Sequence, residues 1–151
     1  MGMPPSGTVS FLFTDIEGST KLAQEHPARM PALLARHNEI LHQAIESHNG
    51  YVFQVVGDSF CASFHHAEDA LNAALEAQHQ LYREAWSPVP LKVRMGIHTG
   101  TAHLESSSSD THYSGYTTLA LTQRIMSVGH GGQVLLSQAA HDGTKDRLPE
   151  Q

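Results

Sequence analysis

The chain has 151 residues, 40% apolar and 16% charged, enough for one domain with a buried core and too apolar for intrinsic disorder. Fifteen acids against nine bases give a net charge of −6. That balance argues against nucleic acid or an anionic membrane as the main partner, while a polyanionic nucleotide stays open because backbone amides, local cations and bound metal act at short range. The lone cysteine, Cys61, rules out a disulfide framework within the chain, no apolar run approaches the roughly 20 residues that span a bilayer, and Met1 to Gly7 lacks the regions of a signal peptide, so a cytoplasmic location is expected.

In chain order, Thr8 to Phe13 reads as a buried strand by its β-branched and aromatic content. It runs into Thr14-Asp15-Ile16-Glu17-Gly18-Ser19-Thr20, where Ser19 or Thr20 is expected to cap a helix. Pro27 fits the first turn of the next helix, which continues to about Ser47 with Leu33, Leu34, His37, Ile40, Leu41 and Ile45 near helical spacing, and Asn49-Gly50 ends it. Tyr51 to Val56 and Phe60 to Phe64 read as strands with Gly57-Asp58 between them at hairpin distance. Ala67 to Glu84 is alanine-rich and helical. After Pro88 and Pro90, Leu91 to His98 is a strand, with Gly100 to Leu104 continuing after a turn. Glu105 to Thr111, with four consecutive serines, reads as a flexible loop. Thr117 to Val128 is a helix, Gln133 to Leu136 a strand, and Ser137 caps a last short helix. Strands alternating with helices around one hairpin predict an α/β (α+β) sandwich with a mixed sheet.

Two acids stand out. Asp15 ends a buried strand, just before a Gly-Ser-Thr turn whose free amides can hold phosphate oxygens, and Asp58 lies on a tight hairpin after Gly57. Carboxylates brought together on neighbouring strands repel unless a cation lies between them, and magnesium or manganese favours oxygen ligands shared with substrate phosphates. Taken singly, each site has an ordinary alternative: a helix cap for Asp15 and a turn for Asp58.

Several segments together change that balance. Phe11-Leu12-Phe13-Thr14-Asp15-Ile16-Glu17-Gly18-Ser19-Thr20 and Val56-Gly57-Asp58-Ser59-Phe60 resemble the two metal-binding motifs of class III adenylate and guanylate cyclases. Arg94-Met95-Gly96-Ile97-His98-Thr99-Gly100 is similar to the family's central strand. Arg124-Ile125-Met126-Ser127, followed by His130-Gly131-Gly132-Gln133-Val134-Leu135-Leu136-Ser137, resembles its late helix and strand. The likeness runs from about Thr8 to Ser137 and implies a ferredoxin-like mixed sheet with helices packed on it. It also implies conversion of ATP (or GTP) to a 3′,5′-cyclic nucleotide and pyrophosphate, used in signal transduction, by two Mg2+ or Mn2+ ions at a head-to-tail homodimer interface. On this resemblance Asp15 and Asp58 match the metal-binding aspartates and Ile16 the residue whose carbonyl also ligates metal. Gly18, Ser19 and Thr20 form the phosphate-binding turn, and Arg124 matches the arginine that stabilises charge on the α-phosphate.

The pattern is not complete. Gln54 stands where ATP-using cyclases carry a base-selecting lysine, and His112 where they carry its aspartate partner. Ala120 replaces the usual ribose-orienting asparagine. The end, Arg147-Leu148-Pro149-Glu150-Gln151, comes where the family continues into a final β-hairpin, so a single cyclase-like domain over residues 1–151 without that hairpin, cut from a longer parent with further domains, is expected. These departures imply a second reading: a degenerate domain that binds nucleotide or mediates dimerisation with little or no turnover. The twelve histidines show no spacing for structural zinc; His98 is expected to pack, and Cys61 to behave as a small buried apolar residue.

Overall fold

The computed structural model describes residues 3–106 and 111–144. In chain order these form β1 (Gly7–Ile16), α1 (Ser19–Glu25), α2 (Met30–Ser47), β2 (Tyr51–Val56), β3 (Ser59–Phe64), α3 (Ala67–Arg83), β4 (Val93–Ser106), β5 (Thr111–Ser114), α4 (Tyr116–Ser127), β6 (Val134–Leu136) and α5 (Gln138–Asp142). The strands order as β2-β3-β1-β4-β5, antiparallel throughout, and β6 joins β4 in parallel. The molecule is therefore the expected α+β fold, one mixed sheet with helices packed on it.

Alternation along β1 creates two cores, because successive strand side chains point to opposite faces. Leu12 and Ile16 face α2 and α3, joining Phe60, Met95 and Ile97 from the sheet with Ile40, Leu41, Ile45, Leu71 and Leu81 from the helices. Four alanines of α3, Ala70, Ala73, Ala74 and Ala77, are buried in the same core. Glu68 and Asp69 in the first turn of α3 and Arg83 in its last complement the helix dipole. Val9, Phe11 and Phe13 point the other way, into a smaller core with Ala102, Tyr113 and Met126.

Several local expectations change. β1 extends through Asp15 and Ile16 because both pair with β4, opposite Arg94 and Val93. Neither Ser19 nor Thr20 caps α1; both lie inside it, and Gly18 takes the N-cap in the left-handed region at φ 68° with no side-chain cap bond. Pro27 lies between the helices, and the early proline of α2 is Pro31. β4 has no turn at Gly100, since pairing with β1 runs unbroken from Val93 to Ala102. Beyond that, His103 to Ser106 pair with β5, so Glu105, Ser106 and Thr111 belong to a strand pair rather than to a loop; positions 107–110 and 145–151, including Arg147 to Gln151, lie outside the described residues. Ser137 caps α5 as expected, its Oγ accepting from the Ala140 amide at 3.1 Å.

The β4–β5 arm curls over the second face. Three strands separate β5 from β2 in the pairing order, yet the Tyr113 ring lies 4.9 Å from Phe53 and 5.1 Å from Phe11. The Tyr113 hydroxyl is recorded within 2.9 Å of Ser63 Oγ and donates at 2.7 Å to the Pro5 carbonyl, anchoring the arm. On the same face α4 presses on β4: a Cβ at Gly96 would come within 2.5 Å of the Met126 amide nitrogen. Glycine is required there by the close approach of helix and strand. Gly96→Ala is expected to push α4 away and cost about 1–3 kcal/mol, read as a lower urea midpoint; an unchanged midpoint would mean that the contact is not tight.

Candidate active site

The strand pairing puts the two acids at one end of the sheet. Thr14 pairs with Phe60 at the end of the β1–β3 ladder, so Asp15, one residue past Thr14, and Asp58, two residues before Phe60, both lie at that end of the sheet. Asp58 is the second residue of a two-residue hairpin closed by the Val56–Ser59 pair. Gly57 has φ 60° and Asp58 does not have positive φ, the glycine-first pattern of a type II′ turn, which suits the twist of the flanking strands. Gly57 thus fixes the corner that carries the carboxylate.

Asp15 is already engaged. Arg94 donates from Nε to Oδ1 at 2.7 Å and from Nη2 to Oδ2 at 2.5 Å, while its Nη1 donates to the Ser127 carbonyl at 3.1 Å. The side chains are only 16% (Asp15) and 26% (Arg94) exposed. The Asp15 hydrogen bonds raise the Arg94 pKa first; the charges of Asp15, Glu17 and Asp58 act in the same direction and burial opposes them. One guanidinium therefore neutralises Asp15 and feels Asp58. In contrast, Asp58 Oδ2 is buried without a hydrogen-bond partner among the described residues. An acceptor of that kind is costly unless something supplies positive charge or a proton.

These two carboxylates fit a divalent-cation site of hard oxygen donors. Asp58 brings a half-buried carboxylate, and Asp15 already lies against a cation. Among the described residues no group of three or more His, Cys, Asp or Glu could hold a metal, so the protein's share of the ligands would be small and phosphate or water oxygens would complete it. Ile16 is buried at the same strand end, and the next amide, Glu17 N–H, donates to the Lys92 carbonyl at 2.8 Å. Gly18 and Thr20 are exposed and Ser19 half-buried at the start of α1. The Glu17 carboxylate accepts from the Gly131 amide at 2.5 Å, closing the loop before β6 against this turn.

The remaining expected residues lie on other elements. Arg124 is exposed in the last turn of α4, with Ala120 exposed one turn earlier; both line a shallow cavity of about 490 Å3 with Tyr116, Leu119, Gln123 and Ser127. No contact between Arg124 and either aspartate is recorded among the described residues. Gln54 is exposed on the edge strand β2, opposite Cys61. His112 is exposed on β5, its Nε2 3.7 Å from the Glu105 carboxylate. Their sequence neighbours Phe53 and Tyr113 stack together, so the curled arm brings these two positions to one region. His98 packs: Nδ1 lies 2.8 Å from Ser137 Oγ, and burial lowers its pKa. Cys61 is half-buried against the second core rather than fully buried, and burial pushes its thiol up to about 11.

Two residues gain importance that their sequence context did not indicate. Arg94 read only as part of a strand motif, although a charged residue at the head of an apolar strand asks for a partner. His37 read as one of an apolar helix face; it is 0% exposed and its Nε2 has no partner. Breaking the Asp15–Arg94 pair with Arg94→Met is expected to cost about 1–3 kcal/mol in metal-free solution, measured by urea denaturation; no loss would mean that solvent already screens the pair.

Comparisons with known proteins bear on the family and the fold. The profile of the family described as "Adenylate and Guanylate cyclase catalytic domain" matches residues 1–149. An uncharacterized protein of Mycobacterium tuberculosis is 39% identical over 149 residues, covering 97% of this chain and 48% of the relative. A receptor-type adenylate cyclase of Trypanosoma equiperdum is 31% identical over 173 residues, covering 88% of this chain and 36% of the relative. The chain thus spans about half the length of the mycobacterial relatives it matches. Among solved structures, an adenylate cyclase of Trypanosoma brucei in its monomeric state matches with TM-score 0.84 and 28% identity, over 93% of this chain and 78% of the other. A monomeric guanylyl cyclase domain from the fungus Blastocladiella emersonii shares the fold, with TM-score 0.87 at 18% identity over 97% of this chain and 90% of the other. The chain belongs to the adenylate and guanylate cyclase catalytic-domain family.

Proposed function

We propose that this chain converts ATP to 3′,5′-cyclic AMP and pyrophosphate as a cytoplasmic homodimer. The observation that carries the reading is the juxtaposition of Asp15 and Asp58 at one sheet end, with the Arg94 guanidinium bonded to Asp15 and within the field of Asp58. In this reading the two carboxylates and the Ile16 carbonyl hold Mg2+ or Mn2+, two ions per site. Such ions, when bound, make the ribose 3′-hydroxyl a better nucleophile and offset the triphosphate charge. The amides of Gly18, Ser19 and Thr20 receive phosphate oxygens at the start of α1. Arg94 keeps the Asp15 carboxylate oriented and has to yield part of it when a divalent ion enters.

Arg124 acts from the second copy. Arg124 is exposed and its guanidinium has no recorded partner among the described residues, so it is available to receive charge that develops on the α-phosphate oxygens. Large apolar side chains are exposed on the edge strand and beside Arg124: Val55 and Val56 of β2 are 44% and 59% exposed, Tyr116 and Leu121 of α4 are 84% and 40% exposed, and Val128 is 68% exposed. Surface of this kind favours a protein partner, and a second copy is the partner that completes the site. Gln54 and His112 meet the purine edge; a glutamine amide and either histidine tautomer can donate and accept there.

Ala120 supports a second reading. Its methyl group occupies the turn before Arg124 and offers no hydrogen bond to a ribose. The chain would then bind nucleotide and dimerise with little turnover. Base preference is the other open choice, and the family includes both adenylate and guanylate cyclases.

Purified protein with Mn-ATP is expected to release cyclic AMP. Asp15→Ala and Asp58→Ala are expected to abolish release, and Arg124→Ala to reduce it by about 10²–10³. Turnover that persists in both aspartate variants would refute the metal assignment. Tight nucleotide binding by calorimetry without product would favour the second reading. In parallel assays ATP is expected to outrun GTP, and the reverse order would make the chain a guanylate cyclase.

A further inference from the structure

Three buried side-chain polar atoms have no hydrogen-bond partner among the described residues: Thr14 Oγ1, His37 Nε2 and Asp58 Oδ2. They are not scattered. Thr14 pairs directly with Phe60 across β1 and β3, and the Phe60 ring meets the His37 imidazole edge-on at 5.7 Å. Asp58 lies two residues before Phe60, and its charge acts on His37. Thr14, His37 and Phe60 are all 0% exposed, so this neighbourhood lies inside the fold, on the α2 side of the sheet.

The chemistry of the atoms is complementary. His37 Nδ1 lies 2.8 Å from Asn38 Oδ1, which accepts its proton and leaves Nε2 of the neutral ring as an acceptor. Asp58 Oδ2 is an acceptor, and the Thr14 hydroxyl can donate. None of the three bonds another directly. One water held between the three would satisfy all of them, giving one proton to Nε2 and one to Oδ2 and accepting from the Thr14 hydroxyl. A buried water with three such partners is ordinary in proteins.

We propose that His37 and Thr14 are positioning residues for Asp58, holding its inner carboxylate oxygen from within the fold through one bridging water so that the outer oxygen faces the cation. The inference rests on the reading of Asp58 as a metal ligand. His37 touches no substrate; it acts through the orientation of a ligand, and outer groups of this kind tune metal affinity by about 10–100-fold.

The test is Mn2+ binding to the purified chain without nucleotide, followed by the electron paramagnetic resonance signal of free Mn2+. His37→Leu and Thr14→Val are expected to weaken binding by about tenfold or more. His37→Gln, whose amide can again meet a water, is expected to recover part of the loss, and Thr14→Ser most of it. Adding His37→Leu to Asp58→Asn is expected to weaken binding no further, because the two residues act as one unit. Thr14→Val, nearly isosteric, carries the test if His37→Leu does not fold. Wild-type affinity in His37→Leu and Thr14→Val, with binding lost in Asp58→Asn, would overturn the positioning role alone. Wild-type affinity in Asp58→Asn, or no binding by the unaltered chain, would overturn the metal reading beneath it.

Discussion

A bidentate ion pair between Asp15 and Arg94 joins three of the elements on which the candidate site depends, β1, β4 and α4. Asp15 belongs to β1 and Arg94 to β4, and the remaining Arg94 donor reaches the Ser127 carbonyl at the end of α4. The strand carrying one metal-ligand candidate is thereby tied to the helix carrying Arg124. The tie works because α4 can approach β4 closely, and that approach exists because residue 96 has no Cβ to meet the Met126 backbone. Electrostatics and packing impose the same geometry here.

The pair also bears on how the site is used. Two carboxylates at one sheet end need positive charge, and in the free chain Arg94 supplies it to Asp15 while Asp58 Oδ2 has no partner. A divalent cation entering beside them would replace an internal counter-ion instead of filling an empty anionic hole. Its binding energy is therefore a difference between two charge arrangements and smaller than the raw attraction to two aspartates. Nucleotide phosphates, which bring both charge and oxygen ligands, would tip that balance.

Much of this was legible in the sequence where the signal is local or periodic. β-Branched and aromatic content marked β1, the spacing of Leu33, His37, Ile40 and Leu41 marked α2, and Gly57-Asp58 marked the hairpin. Interactions over long range were not legible. β5 is four residues long with a polar sequence, and it becomes a strand because Tyr113 packs on Phe11 and Phe53 and bonds to Ser63 and Pro5. α1 begins on Gly18 and not on a serine cap because the chain leaves β1 through a left-handed residue. In the site, motif likeness singled out Asp15, Asp58 and Arg124 without Arg94 as a partner, because that contact joins residues 79 positions apart. Helical periodicity put His37 on the buried face but said nothing of its second ring nitrogen.

The arrangement separates the site's two halves: both aspartates belong to one sheet end, while Arg124 is exposed on α4 with no recorded contact to either. If function requires a second copy, mixing two inactive variants measures it most directly. Asp58→Ala and Arg124→Ala proteins, each inactive alone, should form mixed dimers with one intact site, restoring about a quarter of wild-type cyclic AMP production if pairing is random. Activity that stays at the level of the separate variants, while co-purification of differently tagged variants shows that mixed dimers form, would contradict a site shared between two chains.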